Sequence, residues 1–238
     1  MDSKFSRRAF EFLNGCTRTN TSGGPTGRDE ISVAPELAET AETTEEAIAR
    51  MVFFDEHYGG RIIPVRGGVL AGLLTLGTGA RPSVLRSTGG EPMFRIGRHN
   101  SAQCAIVMSG DGRIGCSWSF EFHPLFDSIE KFIEDCSAWN QIRGWQYVAI
   151  ADAIPVDIVT AIDDLHPDEF ASGEKVKWWT SSRIAITSHP YLNPARSSEQ
   201  VAILAASEIE STRIREALER KGYGSQGALA ASLRKVVE

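Results

Sequence analysis

The chain has 238 residues, a formal net charge of −6 at pH 7 and 42% hydrophobic residues, which suit a globular protein with a buried core. No apolar run approaches the ~20 residues that span a bilayer, and residues 1–8 are polar with no apolar signal segment behind them. The sequence therefore predicts a cytoplasmic protein without a membrane partner, and its acidic total disfavours nucleic acid as a partner.

The charges are distributed in blocks along the chain. Residues 29–56 contain nine acidic residues and one basic residue, and residues 57–118 contain seven arginines and two acidic residues. Residues 119–174 contain twelve acidic residues and two basic ones. Two interpretations stay open. Either acidic elements fold over a basic sheet, or separate charged faces meet charged partners.

Residues 5–13 are predicted to form a short amphipathic helix with Arg7 and Arg8 on its solvent side. Residues 14–33 are rich in Gly, Thr, Ser and Asn and predict a flexible linker. We accordingly divide the chain into an N-terminal helix with its linker (1–34), a core (35–144) and an extension (145–238) packed on the same core.

A helix is predicted from Thr43 to the pair Gly59-Gly60, because Thr43 with Glu46 forms a capping box and glycine commonly follows a helix end. Residues 61–65 predict a short strand, which Pro64 restricts to a sheet edge or a bulge. Residues 68–77 are apolar and fit either a helix or a strand.

The clearest pattern spans residues 93–139. Residues 93–98 alternate as a strand does, and two further strands, 102–108 and 114–120, are predicted to form a hairpin around Gly110-Asp111-Gly112. Trp118 and Phe120 fall on the apolar side of that alternation. The period then changes to that of a helix with one apolar stripe, formed by Ile129, Phe132, Ile133, Cys136 and Trp139. A helix on an antiparallel sheet makes the predicted fold class α+β.

The last third of the chain predicts further elements of both kinds. A strand is expected at 145–150, a strand or the start of a helix at 201–206, and a hairpin at 175–180 and 183–187. Helices are expected at 155–165, 208–221 and 226–237. The neighbours Trp178 and Trp179 must point to opposite faces of their strand.

No metal, cofactor or catalytic motif is predicted. The cysteines (Cys16, Cys104, Cys116 and Cys136) lack close pairing, which favours reduced buried thiols. The five histidines lack the spacing of metal ligands on one helix, and three of them precede proline, which predicts loop positions. Gly77-Thr78-Gly79 is only a fragment of a dinucleotide fingerprint, and Ser128 before Lys131 is explained by helix capping.

Six residues are predicted to bind a ligand or partner. Arg95 and Arg98, with His99 beside them, are the best candidates for an anion site, although their spacing on one strand places them on opposite faces or nearly so. Trp118, Glu121 and His123 complete the set, since a histidine could act as a general base beside Glu121 or Asp127.

Two segments resemble the SMI1/KNR4-like (SUKH) superfamily. They are Met51-Val52-Phe53-Phe54-Asp55-Glu56-His57-Tyr58-Gly59-Gly60 and, after a glycine-containing hairpin, Asp127-Ser128-Ile129-Glu130-Lys131-Phe132-Ile133-Glu134-Asp135-Cys136. The resemblance implies an α+β fold and, as in many bacterial members, an immunity protein that neutralises a cognate toxin, often a nuclease or deaminase. It implies no shared catalytic residues.

Three functional hypotheses follow. The first is a non-enzymatic inhibitor that binds a cognate toxin, and the alternative is a small-molecule or anion-binding enzyme that uses arginine and histidine of the central region. The third is a homodimer joined through the hairpin of Trp178 and Trp179.

Overall fold

A computed structural model describes residues 4–19, 27–37, 41–66, 72–79, 81–99, 105–151, 162, 164–190 and 199–220. These residues form helices and mainly antiparallel strands, which confirms the predicted α+β class. The chain divides into two compact units, Met1–Asn140 and Gln141–Glu238.

The described residues of the first unit form three α-helices and an eight-stranded sheet. The helices are α1 (Arg7–Gly15), α2 (Ala41–Tyr58) and α3 (Ile129–Gln141), with short 3₁₀ helices at Arg28–Glu30 and Pro35–Leu37. The strands are β1 (Ser32–Val33), β2 (Ile62–Val65), β3 (Gly72–Leu76), β4 (Ser83–Arg86), β5 (Pro92–His99), β6 (Ala105–Ser109), β7 (Ile114–Trp118) and β8 (Glu121–Phe126).

The central strand of this sheet is β5. The main order is β1-β4-β5-β6-β7-β8, and β3 also pairs with β5 and carries β2 at its far side. β4 pairs with the first part of β5 and β3 with the last part. All pairs are antiparallel except β1 with β4. The edge position predicted for the strand with Pro64 is confirmed.

Two helices supply apolar faces to the core of this unit. Helix α2 contacts β5, and its Ala47, Met51 and Phe54 are buried. The predicted stripe of α3 is buried in full, and the rings of Phe126 and Phe132 lie 5.2 Å apart. Each large apolar side chain that is buried contributes roughly 1.5 to 3 kcal/mol as an upper estimate. The Ser128 hydroxyl accepts a hydrogen bond from Lys131 N–H and so caps α3, as predicted.

The conspicuous Asp-x-x-x-Gly-Gly end of α2 has a structural role. Asp55 is buried, and its Oδ1 accepts a hydrogen bond of 3.1 Å from the backbone N–H of Thr78. A Cβ atom at Gly59 would lie 2.4 Å from the Asp55 carbonyl oxygen. Gly77 and Gly79 thus belong to a loop that is hydrogen-bonded to the end of α2. This structural role accounts for the two glycines without a nucleotide site.

Helix α1 is fixed to α3 rather than tethered loosely. The Ser6 N–H and hydroxyl both donate to the carboxylate of Glu134, at 2.5 and 2.7 Å, and the Arg8 guanidinium lies 3.3 Å from it. The prediction that Arg8 faces solvent was therefore wrong, whereas Arg7 is exposed as expected.

The predicted linker over 14–33 is partly structured. Arg18 forms a β-bridge with Arg61, and residues 28–33 include a 3₁₀ helix and strand β1. The prediction of a continuous flexible linker was thus wrong for these residues, because the 3₁₀ helix and the strand satisfy their backbone groups.

The second unit is a five-stranded antiparallel sheet with one described helix. Its strands are β9 (Gln146–Ala151), β10 (His166–Pro167), β11 (Lys177–Thr180), β12 (Ile184–Pro190) and β13 (Glu199–Ala205), in the order β10-β11-β12-β13-β9, and α4 is Glu208–Arg220. The Ser207 hydroxyl caps α4 by accepting a hydrogen bond from Glu210 N–H. Ile209, in the first turn of α4, is exposed. Most of the helix predicted at 155–165, and that at 226–237, lie outside the described residues.

The predicted hairpin with the tryptophan pair is confirmed as β11 and β12. Trp178 is fully buried, and Trp179 packs against the core of β9, β12, β13 and α4. The histidines that precede proline were predicted in loops, and that was wrong: His123, His166 and His189 lie in strands. The extended backbone that proline requires of its predecessor is also that of a strand.

Candidate protein-binding surface

The sharpest feature of the first unit is the turn that joins β7 to β8. Trp118 pairs with Glu121 across the hairpin, so Ser119 and Phe120 alone form the loop. Their φ angles are 50° and 65°, the positive values that a type I′ turn requires at both central positions. Glycine or asparagine normally occupies such positions, since a side chain there costs roughly 1 to 2 kcal/mol.

This turn holds two aromatic side chains in solvent. Trp118 is 50% and Phe120 is 58% exposed. The turn is fixed to the neighbouring loop by a hydrogen bond of 2.9 Å from Thr88 N–H to the carbonyl oxygen of Phe120. We call residues 118–123 the hairpin tip. Backbone strain held in place by its surroundings is characteristic of functional sites. Here the strained turn leaves two apolar side chains exposed to solvent.

Glu121 and His123 lie beside the aromatic residues. The Glu121 Oε2 atom is 3.8 Å from His123 Nε2, which is longer than the 2.6 to 3.2 Å typical of a base and its orienting group. His123 is in register with Cys116 on β7. The pair forms a polar border to the aromatic residues. The general-base role considered for His123 lacks the short contact it needs.

The base of the hairpin that carries the tip is braced by charged contacts. Arg113 Nε lies 2.6 Å from Asp111 Oδ2, its Nη2 lies 3.0 Å from Glu91 Oε2, and its guanidinium stands 5.5 Å from the centre of the Phe122 ring. Burial acts to raise the pKa of Asp111, but hydrogen bonds from Ser109 and Arg113 outweigh it and hold that pKa below its usual value. These contacts join the start of β7 to Glu91 and to Phe122 of β8 beneath the tip.

Helix α2 braces the same end of β7, through the turn that precedes this strand. The Nε atom of Arg50 donates to the Gly110 carbonyl oxygen at 3.0 Å. Gly112 has a φ of 95°, and a Cβ there would come within 2.8 Å of the Arg50 guanidinium. The only basic residue of the first acidic block thus anchors the turn between β6 and β7.

The remaining three predicted residues lie on β5, and one of them is separated from the others. Arg95 is paired with Val107 and Gly97 with Ile106, so a β-bulge at Ile96 inserts one residue. Because Val107 and Ile106 face opposite sides, so do Arg95 and Gly97, and Arg98 shares the side of Arg95. The expectation that the two arginines point to opposite faces was therefore wrong.

His99 follows Arg98 and takes the other face of the sheet. It pairs with buried Leu74, whereas Arg98 pairs with Thr75. The structure therefore brings Arg95 and Arg98 together and leaves His99 out of their group. The six predicted residues therefore fall into three places: the hairpin tip, the arginine pair, and His99 on the opposite face of β5 from the arginines.

Phe120 and Ser119 are the functional candidates that the sequence did not reveal. In the sequence, residues 118–120 continue the alternation of the preceding strand, and this pattern predicted Trp118 and Phe120 on the buried side. That prediction was wrong, because the chain reverses at Ser119. A Ser-Phe turn carries neither the glycine nor the asparagine that marks such loops, so composition gave no signal for it.

Comparisons of the chain with protein-family models, curated proteins and solved structures return no match. The resemblance to the SUKH superfamily therefore stays a prediction. Within the described ranges, no cluster of three His, Cys, Asp or Glu side chains is arranged to hold a metal ion. The described helices include none with both the length and the apolar character needed to cross a bilayer.

Proposed function

We propose that this chain is a non-enzymatic protein-binding inhibitor that recognises its partner through the hairpin tip. The observation that carries the proposal is the exposed Phe120 side chain on a backbone with a φ of 65°. A glycine would fit that backbone with less strain. A ring kept there at a cost in stability indicates a contact made outside the chain.

The composition of the tip is that of a binding hot spot. Tryptophan and other aromatic residues dominate the energetics of protein interfaces, where a polar rim excludes water from them. Trp118 and Phe120 supply the aromatic area, and Glu121 with His123 supplies a polar border. Because the turn is rigid before binding, little conformational entropy is lost when a partner encloses it.

A projecting two-residue turn fits a concave partner surface. Inhibition then follows when the tip occupies the partner's cleft, with no reaction by the chain itself. In line with the resemblance to the SUKH superfamily, we propose a cognate toxin as the partner and an immunity role for this chain.

The test is affinity capture from the cells that encode the chain, followed by identification of retained proteins by mass spectrometry. The bait proteins are the tagged wild type, Trp118→Ala, Phe120→Gly and Phe10→Ala. Phe120→Gly removes the ring while relieving the backbone strain, so lost binding cannot be attributed to misfolding. Phe10 lies on α1 and is 58% exposed, the same as Phe120, which makes Phe10→Ala the matched control.

We expect one stoichiometric partner with the wild type and with Phe10→Ala, and at least a tenfold loss with either tip variant. Expression of the captured partner alone should then harm cells, and co-expression of the wild type should protect them. Equal capture by Phe120→Gly and the wild type would overturn the proposed surface. A partner harmless to cells would overturn the immunity role.

The alternative of a small-molecule or anion-binding enzyme assigned Arg95, Arg98, His99 and His123 to one site. The structure places His99 on the opposite face from the arginines and His123 in the hairpin tip. Arg95 and Arg98 still share one face of β5, where the two guanidinium groups can bind an anionic group.

A further inference from the structure

A second surface lies on β2, β3 and β5. Register places six side chains on one side of these strands, namely Ile62, Pro64, Leu73, Thr75, Arg95 and Arg98. We call this set the arginine face. The intervening residues Ile63, Leu74 and Ile96 are buried on the other side. The burial pattern and the register therefore agree on which side is exposed.

The two arginines of this face are available to bind a ligand. Among the residues that the structure describes, neither Arg95 nor Arg98 has a hydrogen bond or an ion pair, and both are exposed. Other arginines of the same unit are engaged: Arg8, Arg50, Arg61 and Arg113. In a chain of net charge −6, two unpaired guanidinium groups on one face form a local site of opposite sign.

The bulge at Ile96 is what makes the pair. In a regular strand, residues three apart point to opposite faces, and Arg95 and Arg98 would be separated by the sheet. With the bulge, they are consecutive side chains on one face. Bulges are commonly placed where a strand must re-aim a side chain.

The rest of the arginine face is uncharged and mostly apolar. Leu73 is 51% exposed, and Ile62 and Pro64 on the adjoining edge strand are partly exposed. A ligand for this face must therefore satisfy two cations and also cover apolar area.

We propose that the arginine face binds an acidic segment of a partner polypeptide. Carboxylates of the segment pair with Arg95 and Arg98 through the planar fork of each guanidinium, and an apolar side chain of the segment packs on Leu73. A nucleic acid fits this face less well, because the net negative charge of the chain repels a polyanion. This goes beyond the proposed function, since it rests on other residues and another strand.

The experiment measures binding of a defined probe to the full chain by fluorescence anisotropy. The probe is a fluorescein-labelled twelve-residue peptide that alternates glutamate and leucine, titrated at low and moderate salt. We expect Arg95→Ala and Arg98→Ala each to weaken binding by about three- to tenfold. Arg95→Lys keeps the charge but loses the fork, and should retain part of the affinity.

Arg7→Ala is the matched control, because it removes one exposed positive charge from α1 in the same unit. Its affinity should equal that of the wild type. Replacing leucine by alanine in the peptide should weaken binding to the wild type, since contact with Leu73 is lost.

Three results would overturn the proposal. They are no binding to the wild type at low salt, equal affinity of the wild type and the Arg95→Ala/Arg98→Ala double variant, and displacement of the peptide by inorganic phosphate at submillimolar concentration. The last would make the face a site for free phosphate. None of these results bears on capture through Trp118 and Phe120, so failure here is distinct from failure of the proposed function.

Discussion

The backbone N–H of Thr88 donates a hydrogen bond of 2.9 Å to the carbonyl oxygen of Phe120, and so joins the β4–β5 loop to the loop of the β7–β8 hairpin. The strained conformation at Phe120 is thus supported by a residue more than thirty positions earlier. A turn held in this way can keep an aromatic side chain at positive φ without glycine.

Replacing Phe120 should therefore reveal the strain directly. Phe120→Gly is expected to be more stable than Phe120→Ala by about 1 kcal/mol, because alanine keeps the steric cost of a φ of 65° and glycine does not. Urea unfolding of both variants measures the difference. Equal or lower stability of the glycine variant would show that the backbone at this turn is unstrained.

Loss of the contact between α1 and α3 should lower the free energy of unfolding more than the changes at Phe120 do. Glu134→Ala removes a carboxylate that is 2% exposed and leaves Ser6 and Arg8 without it. We expect a loss of about 2 to 4 kcal/mol in the free energy of unfolding, measured by urea denaturation. Limited proteolysis should at the same time cut residues near α1 faster.

The control for that variant is Arg7→Ala. Arg7 pairs with Glu11 on the exposed side of α1, and removal of an exposed pair should change stability by less than about 0.5 kcal/mol. Similar losses for Arg7→Ala and Glu134→Ala would contradict the role assigned to the buried carboxylate.

Helix α2 supplies a steric test. Gly59→Ala places a Cβ atom 2.4 Å from the Asp55 carbonyl oxygen, and the required shift of the helix end should cost about 1 to 3 kcal/mol. Gly15→Ala is the matched control, since a Cβ there meets nothing within 4 Å. Thermal unfolding should separate the two variants clearly. A fully stable Gly59→Ala protein would refute the close approach.

Acid should destabilise the second unit through His189. Burial lowers the pKa of this histidine to about 4, against about 6.5 in the unfolded chain. Between these values the unfolded state binds a proton that the folded state does not, so stability falls as pH decreases through the window, by roughly 3 kcal/mol in total. Above pH 6.5 the group has no such effect.

The test compares the wild type with His189→Phe at pH 7 and pH 4.5. Phenylalanine preserves a ring next to Trp178, whose ring centre lies 6.3 Å from that of His189. On going from pH 7 to pH 4.5, the unfolding free energy of the wild type should fall by more than that of the variant. A constant difference would show that His189 does not titrate in this way.

The parts of this fold that the sequence predicted are those where one face of an element is buried along its whole length. The stripe of α3 from Ile129 to Trp139 is the clearest case, because its period alone requires a helix. The short strand β4 escaped prediction since four residues give too little alternation. β8 escaped because Pro124 and the polar residues around it resemble a turn.

The candidate surfaces were harder to predict for a different reason. Trp118 was identified as a binding residue, but its exposure depends on where the chain reverses, and no turn residue marks that point. The bulge beside Arg95 did have a signal. Gly97 is an isolated glycine within a strand, and a Cβ there would lie 2.6 Å from the Leu74 side chain.

The two surfaces lie on strands whose spacing follows from one row of the sheet. Arg95 is in register with Val107, then Gly115, then Pro124, so three strand spacings of about 4.8 Å, or roughly 14 Å, separate β5 from the hairpin's outer strand. The side chains of Trp118, Glu121 and His123 share the side of Ile106, opposite to that of Arg95. A single partner that engages both surfaces must therefore reach both sides of the sheet, and it then binds the second surface intramolecularly, at a raised effective concentration. Two individually weak contacts would then give a long-lived complex, and a partner with only one of them would dissociate quickly.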